Sequence, residues 1–430
     1  MRSASQIIAG KAVEPLFGCG CRWNQQTGER RNMKYNAWTL ALISAGVVSL
    51  PAIARAEETT NAVMTALATT TISGYVDTSA HWNPGTGDQN LPAYTPNGRA
   101  GGTKADGFNL DLVALTLSKP AGEGDWSAGY NATLLFGPDA VGYNNSFGGL
   151  PNDFSLKDAY VDLHAPVGNG LDIKLGTYTE ILGYEVYEAG NNPNYTRSYG
   201  YGIEPTAMTG VLAGYQLNSA VALSAGICDA WNAGVNARSF GTPNSKSESF
   251  KTYMASVTFT APTNFGFLSG STLSGGVING YDSVTTADKT SLYIGGTLNT
   301  PINNVKVGAA YDYVMLGPNM FNGVPNPSGY QGAFGLYVSW QATPKLSFYT
   351  RGEYFTESGY LSGLGVAGAA ASAFEVTQTI QYDLWKNVLA RFEFRWDHAE
   401  HGSGFGGVAA GDIPTSENAF LLAANIIYKF

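Results

Sequence analysis

Phe420-Leu421-Leu422-Ala423-Ala424-Asn425-Ile426-Ile427-Tyr428-Lys429-Phe430 ends the chain, and its reading decides the fold. Every second residue back from Phe430 gives Tyr428, Ile426, Ala424, Leu422 and Phe420, while Asn425 and Lys429 fall on the other side. Side chains of a strand alternate between its two faces, so this is a strand with one continuously apolar face. Left as a free edge in water it would recruit other chains. It suits the closing strand of a barrel that faces lipid; a buried last strand of a water-soluble domain is the alternative.

The same alternation recurs from residue 71 onward in stretches of about ten residues, the length that a tilted membrane strand needs. Trp126, Ala128, Tyr130, Ala132, Leu134 and Phe136 oppose Ser127, Gly129, Asn131 and Thr133. Val388, Ala390, Phe392, Phe394 and Trp396 oppose Arg391, Glu393, Arg395 and Asp397. Such segments fall near 71–82, 107–118, 125–137, 155–165, 170–181, 205–217, 219–229, 250–262, 268–282, 289–300, 304–316, 330–343, 345–357, 373–384, 386–398 and 418–430. This predicts an all-β fold, a transmembrane antiparallel barrel over 71–430 with about sixteen strands, an even number as single-chain bacterial barrels require. The segments 107–118 and 268–282 are the least regular and leave fourteen to eighteen strands open. Pro166-Val167-Gly168-Asn169, Pro262-Thr263-Asn264, Pro301-Ile302-Asn303 and Thr343-Pro344 read as tight turns. Between them lie longer connections at 83–106, 138–154, 182–204, 230–249, 317–329, 358–372 and 399–417. Short turns on one side and long loops on the other place both termini in the periplasm.

Near the amino terminus, Met33 and Lys34 lead into an apolar run, Ala37 to Ala52, followed by the small-x-small site Ala54-Arg55-Ala56. That is the order of a secretory signal peptide. Residues 33–56 are therefore read as the leader, 1–32 as an extension upstream of the true start, and 57–70 as a short periplasmic segment. Without residues 1–56 the balance is 17 Lys/Arg against 31 Asp/Glu, or −14, a surface that repels nucleic acid. Cys19 and Cys21 leave with the leader, so Cys228 stands alone and an intramolecular disulfide is excluded.

Between 155 and 215 the sequence becomes more specific. Ala159-Tyr160-Val161-Asp162-Leu163, then Gly168-Asn169-Gly170-Leu171-Asp172-Ile173-Lys174-Leu175-Gly176, resembles a strand, turn and strand of the OmpL-like family of β-barrel porins. Leu182-Gly183-Tyr184-Glu185, Asn194-Tyr195-Thr196-Arg197-Ser198-Tyr199 and Thr209-Gly210-Val211 resemble the loop and strand that follow, and Gly74-Tyr75-Val76-Asp77 the opening strand. Tyr428 and Phe430 resemble the carboxyl-terminal assembly signal of outer-membrane barrels. The resemblance implies an outer-membrane channel for passive diffusion of small hydrophilic solutes or ions. Its partners would be outer-membrane lipids, the barrel-assembly machinery, those solutes and, by analogy, two further copies in a homotrimer. A solute-specific channel, for example for sugars, and a plugged barrel with a structural or adhesive role remain the alternatives.

A porin needs no catalytic group and no cofactor; lumen charges set which solutes pass. On the parity above, Asp172, Lys174 and Glu180, then Arg351 and Glu353, then Arg391, Glu393, Arg395 and Asp397 lie on the wet faces of their strands. The loop 182–204 is the third long one and is expected to fold inward as a constriction. It carries Glu185, Glu188, Arg197 and Glu204 with tyrosines at 184, 187, 195, 199 and 201, including Tyr195 and Tyr199. These predict an acidic, tyrosine-lined eyelet. Ser79 and His81 share a strand face, but that spacing alone does not make a nucleophile and base, and His398 and His401 mark a strand end rather than a metal site. Intact-mass measurement on the chain purified from membranes should give an amino terminus at Glu57; a species retaining Ala37 to Ala52 would overturn the leader reading.

Overall fold

The computed structural model describes residues 70–430 apart from 88, 93, 95–105, 142, 144–153, 232–233, 240–249, 284–286, 322–323, 359–370 and 408–411. The leader, the upstream extension and the segment 57–69 lie outside the described residues.

Sixteen antiparallel strands close into one barrel. In chain order they are β1 (Thr71–Trp82), β2 (Gly107–Lys119), β3 (Ser127–Phe136), β4 (Phe154–Ala165), β5 (Leu171–Thr179), β6 (Ala207–Gln216), β7 (Val221–Cys228), β8 (Thr252–Thr260), β9 (Thr272–Tyr281), β10 (Asp288–Asn299) and β11 (Val305–Leu316). A small hairpin, β12 (Asn319–Phe321) and β13 (Val324–Asn326), interrupts the wall. The barrel resumes with β14 (Gly329–Gln341), β15 (Leu346–Glu357), β16 (Ala371–Trp385), β17 (Val388–Ala399) and β18 (Asn418–Lys429). Closure removes every free edge and satisfies the backbone polar groups, which a wall in hydrocarbon must do internally. Alternation then sorts the side chains: on β17, Arg391, Glu393, Arg395 and Asp397 are buried in the interior, while Phe392 and Phe394 are exposed to the outside.

Among the described residues three bulges break the simple parity; one, between Asp383 and Trp385, lies beside the turn from β16 to β17, and the other two alter the interior. β1 and β2 shift register between Asp77 and Thr78, which leaves Asp111 unmatched, so that Asp111 and Leu112 are both buried. β3 and β4 shift between Thr133 and Leu134, leaving Lys157 unmatched, and Lys157 and Asp158 are both buried. A bulge sets two residues opposite one and re-aims a side chain. Each of these two therefore adds a charged group to the interior. Segment edges also move. Trp126 precedes β3, and β9 begins at Thr272 rather than 268 because Thr263–Leu268 form a 3-10 turn around Gly266 at φ 61.

The seam between the first and last strands is held past the end of β18. Gly74 N donates to Phe430 O at 3.0 Å, and Phe430 N donates to Gly74 O at 2.9 Å. The Phe430 ring covers Gly74, where a Cβ would lie 2.7 Å from Phe430 Cζ and 2.2 Å from the Ala114 carbonyl oxygen. The terminal aromatic thus fills the space left by the missing side chain. Gly74→Val should lower barrel stability by about 1–3 kcal/mol through overpacking, seen as a reduced urea midpoint in micelles. An unchanged midpoint would remove the seam's dependence on this contact.

Candidate functional site

Residues 180–206, between β5 and β6, turn into the lumen. Buried main chain must find partners for its N–H and C=O groups. Here the wall supplies them as charged side chains. Glu393 accepts from Tyr195 N at 2.6 Å and Thr196 N at 2.9 Å, and Glu353 accepts from Tyr199 N at 2.6 Å and Gly200 N at 2.7 Å. Arg391 donates to the Ala189 and Asn192 carbonyls, each at 2.8 Å, and Arg395 to the Arg197 carbonyl at 2.6 Å. Arg351 donates to the carbonyls of Thr196 at 2.9 Å and Arg197 at 3.2 Å. Within the loop, helix α1 (Tyr199–Ile203) is capped by Ser198, whose Oγ accepts from Tyr201 N at 2.9 Å.

The charges that hold the loop also neutralise one another. Arg351 pairs with Glu185 at 2.8 Å and with Glu375 at 2.6 Å; Arg395 pairs with Asp397 at 2.7 Å and lies 3.6 Å from Glu375. All five side chains are fully removed from solvent. Tyr199 OH donates to Asp397 at 2.8 Å, and Arg197 turns back on the carbonyls of Tyr195 and Tyr187.

The loop also reaches β1 and β2, which continue the wall beyond β18. Tyr195 OH donates to Ser79 Oγ and Asp111 Oδ1, both at 3.1 Å, and lies 2.7 Å from His81 Nε2. Ser79 Oγ is itself 3.0 Å from His81 Nε2, so the two do meet, a contact that strand spacing does not require. Yet Ser79 donates to Asp111 at 3.0 Å inside a buried cluster covered by Tyr94, Tyr195, Leu421 and Ala423, which is the setting of a structural latch. Glu188 pairs with Lys157 at 3.0 Å, and Leu182 sits where a Cβ on Gly276 would be, 2.6 Å from it. At the two ends of the loop, burial pushes the Glu180 carboxyl up, and burial followed by the neighbouring Asp312 does the same to Glu204. Towards the extracellular ends of the strands, Met208, Met254, Ile278, Val314, Phe355 and Phe405 belong to one buried apolar cluster with Leu182, Tyr199 and Ile203 of the loop. The periplasmic half keeps polar residues such as Ser274, Thr297, Ser339 and Gln381.

Expectation and structure part in one respect. Arg351, Glu353, Arg391, Glu393, Arg395 and Asp397 point inward but are buried by the loop rather than lining open water. Asp172 is taken up by His164 at 2.6 Å, Lys174 lies over the Tyr160 ring at 4.8 Å from its centroid, and Glu180 falls beyond the end of β5. Glu185 is ion-paired and buried, so it is no free eyelet carboxylate. Asp397 turns inward to Arg395 whereas His398 bonds Asn418, so these residues do not converge. The sequence reading missed Glu375, whose wet-face parity with Thr377 and Thr379 could have found it. It also missed Asp111 and Lys157, which no alternation could place.

The sequence profile of the family described as Putative beta-barrel porin-2, OmpL-like, matches residues 69–430. Comparison with proteins of curated function returns no match. Among solved structures, the outer membrane channel DcaP of Acinetobacter baumannii superposes with a TM-score of 0.55 at 12% identity, covering 84% of this chain and 97% of that one. An anion-selective porin from Comamonas acidovorans gives 0.54 at 14% identity, covering 84% and 99%. The trimer form of OmpT, an outer membrane protein of Vibrio cholerae, gives 0.50 at 12% identity, again covering 84% and 99%. The chain belongs to the OmpL-like family of β-barrel porins: it is a bacterial outer-membrane channel for passive diffusion of solutes.

Proposed function

We propose that the loop 180–206, rather than the charges of the wall, sets the cross-section of the channel. The observation that carries this reading is the set of hydrogen bonds from Glu353, Glu393, Arg351, Arg391 and Arg395 to the main chain of the loop. Charges committed in this way cannot also select ions. Their work is to fix a loop that leaves the wall between β5 and β6 and crosses the lumen to β15–β17, with further contacts on β1, β2 and β4. The channel is accordingly narrow, and its ion preference is weaker than that of an acidic eyelet.

Removing one member of a buried ion pair costs about 3–5 kcal/mol, enough to release the loop while the closed ladder keeps the barrel folded. Arg351→Ala should therefore raise single-channel conductance and add rapid flicker in planar bilayers, with heat-modifiable migration retained. Unchanged conductance in a folded variant would sink the proposal.

Protonation offers a second handle. Glu180 and Glu204 have carboxyls raised above their ordinary range in the docked loop, so docking gains from their neutral forms. That gain is complete below the ordinary carboxylate pKa of about 4.3 and is lost as pH rises through the raised values. Conductance should be lowest in acid and increase towards neutral and alkaline pH, and Glu204→Gln should flatten the curve. A profile that falls with rising pH would contradict the sign.

A homotrimer is inferred by analogy with the trimer form of OmpT. Native mass of the purified channel in detergent tests it, and a monomer mass would overturn the assembly alone.

A further inference from the structure

Beneath the loop, on the periplasmic side, lies a cavity of about 310 Å³ between residues 184–193 and the inner faces of β9–β11 and β14–β16. Its volume is at the lower end of the range of small-molecule sites, about 300–1,000 Å³. Tyr184, carried in by the loop, is stacked on Tyr337 with ring centroids 4.0 Å apart and 21° between the planes. Tyr293 and Tyr349 complete an aromatic lining. The hydroxyls of Tyr293, Tyr349 and Ser339 have no hydrogen-bond partner among the described residues, although hydroxyls both donate and accept.

The charge content narrows the ligand class. Lys306 is the one charged side chain in the lining, and it is exposed; no carboxylate takes part. The cavity therefore lacks the counter-charge for a cation, and a single solvated ammonium does not make an anion site. Flat aromatic faces beside free hydroxyls fit a solute with a C–H face and a rim of hydroxyls. We propose that this vestibule binds neutral, polyhydroxylated solutes of mono- or disaccharide size as they cross the barrel. The proposal rests on the channel reading above and adds a substrate class to it.

The test uses the channel purified from outer membranes, with maltose as probe in two assays. Saturation-transfer NMR in micelles reads binding without conduction, and ion current in a planar bilayer reads occupancy of the pathway. Both should saturate with maltose in the millimolar range. Tyr349→Leu and Tyr184→Leu, each checked for heat-modifiable migration, should weaken half-saturation by about fivefold, as expected for loss of one aromatic partner. A conducting channel whose current falls only in proportion to maltose concentration, equally in both variants, with no saturable transfer, overturns the site and leaves the porin reading intact. Saturable transfer in a folded barrel that never conducts supports the site and overturns the channel reading. Tighter binding of gluconate than of glucose overturns the neutral class.

Discussion

A loop that enters a barrel brings bare main chain into a space where water is scarce, and every N–H and C=O it carries must be met there. In this protein the partners are side-chain charges on β15 and β17. Glu353 and Glu393 take the amides of Tyr195, Thr196, Tyr199 and Gly200, and the three arginines take the carbonyls. Both kinds of orphan group on one loop segment are thereby satisfied by two neighbouring stretches of wall. A buried carboxylate or guanidinium is costly alone, and the mixed signs along β17 keep each one compensated.

This use of charge explains why the interior divides into two halves. With the loop anchored at mid-height, its apolar residues Leu182, Tyr199 and Ile203 pack against Met254, Ile278 and Phe355, which turn away from water. Below the loop the described residues of the inner wall include hydroxyl and amide side chains such as Thr297, Ser339 and Gln381 around a cavity. The alternating pattern of a strand specifies an inside and an outside. It does not specify whether the inside is wet, because that depends on what the lumen contains.

Much of this was legible in the residues. The period of two in Phe420–Phe430 and in Val388–Asp397, the even number of segments and the alternation of turn lengths follow from local chemistry. A lipid-facing strand cannot hide its pattern. The inward path of the loop was also expected from its position as the third long connection. The partners of that loop were not legible, since the contact between Tyr195 and Glu393 spans 198 residues and depends on how sixteen strands close. Asp111 and Lys157 were hidden for another reason: a bulge shifts parity by one residue, and its position is settled by pairing with the neighbouring strand.

What the sequence determined by itself is the class of the molecule: a membrane barrel of about sixteen strands, with fourteen to eighteen left open until the closed ladder fixed sixteen, and the face on which each regular residue falls. Those properties depend on alternation along one strand, which is a local property of the chain. What only the tertiary structure decided is the work of the interior charges. The same Arg351, Glu353, Arg391, Glu393 and Arg395 could have lined open water or held a loop. The choice was made when residues 185–200 came within hydrogen-bond reach, because a charge solvated by main-chain dipoles is no longer available to passing ions.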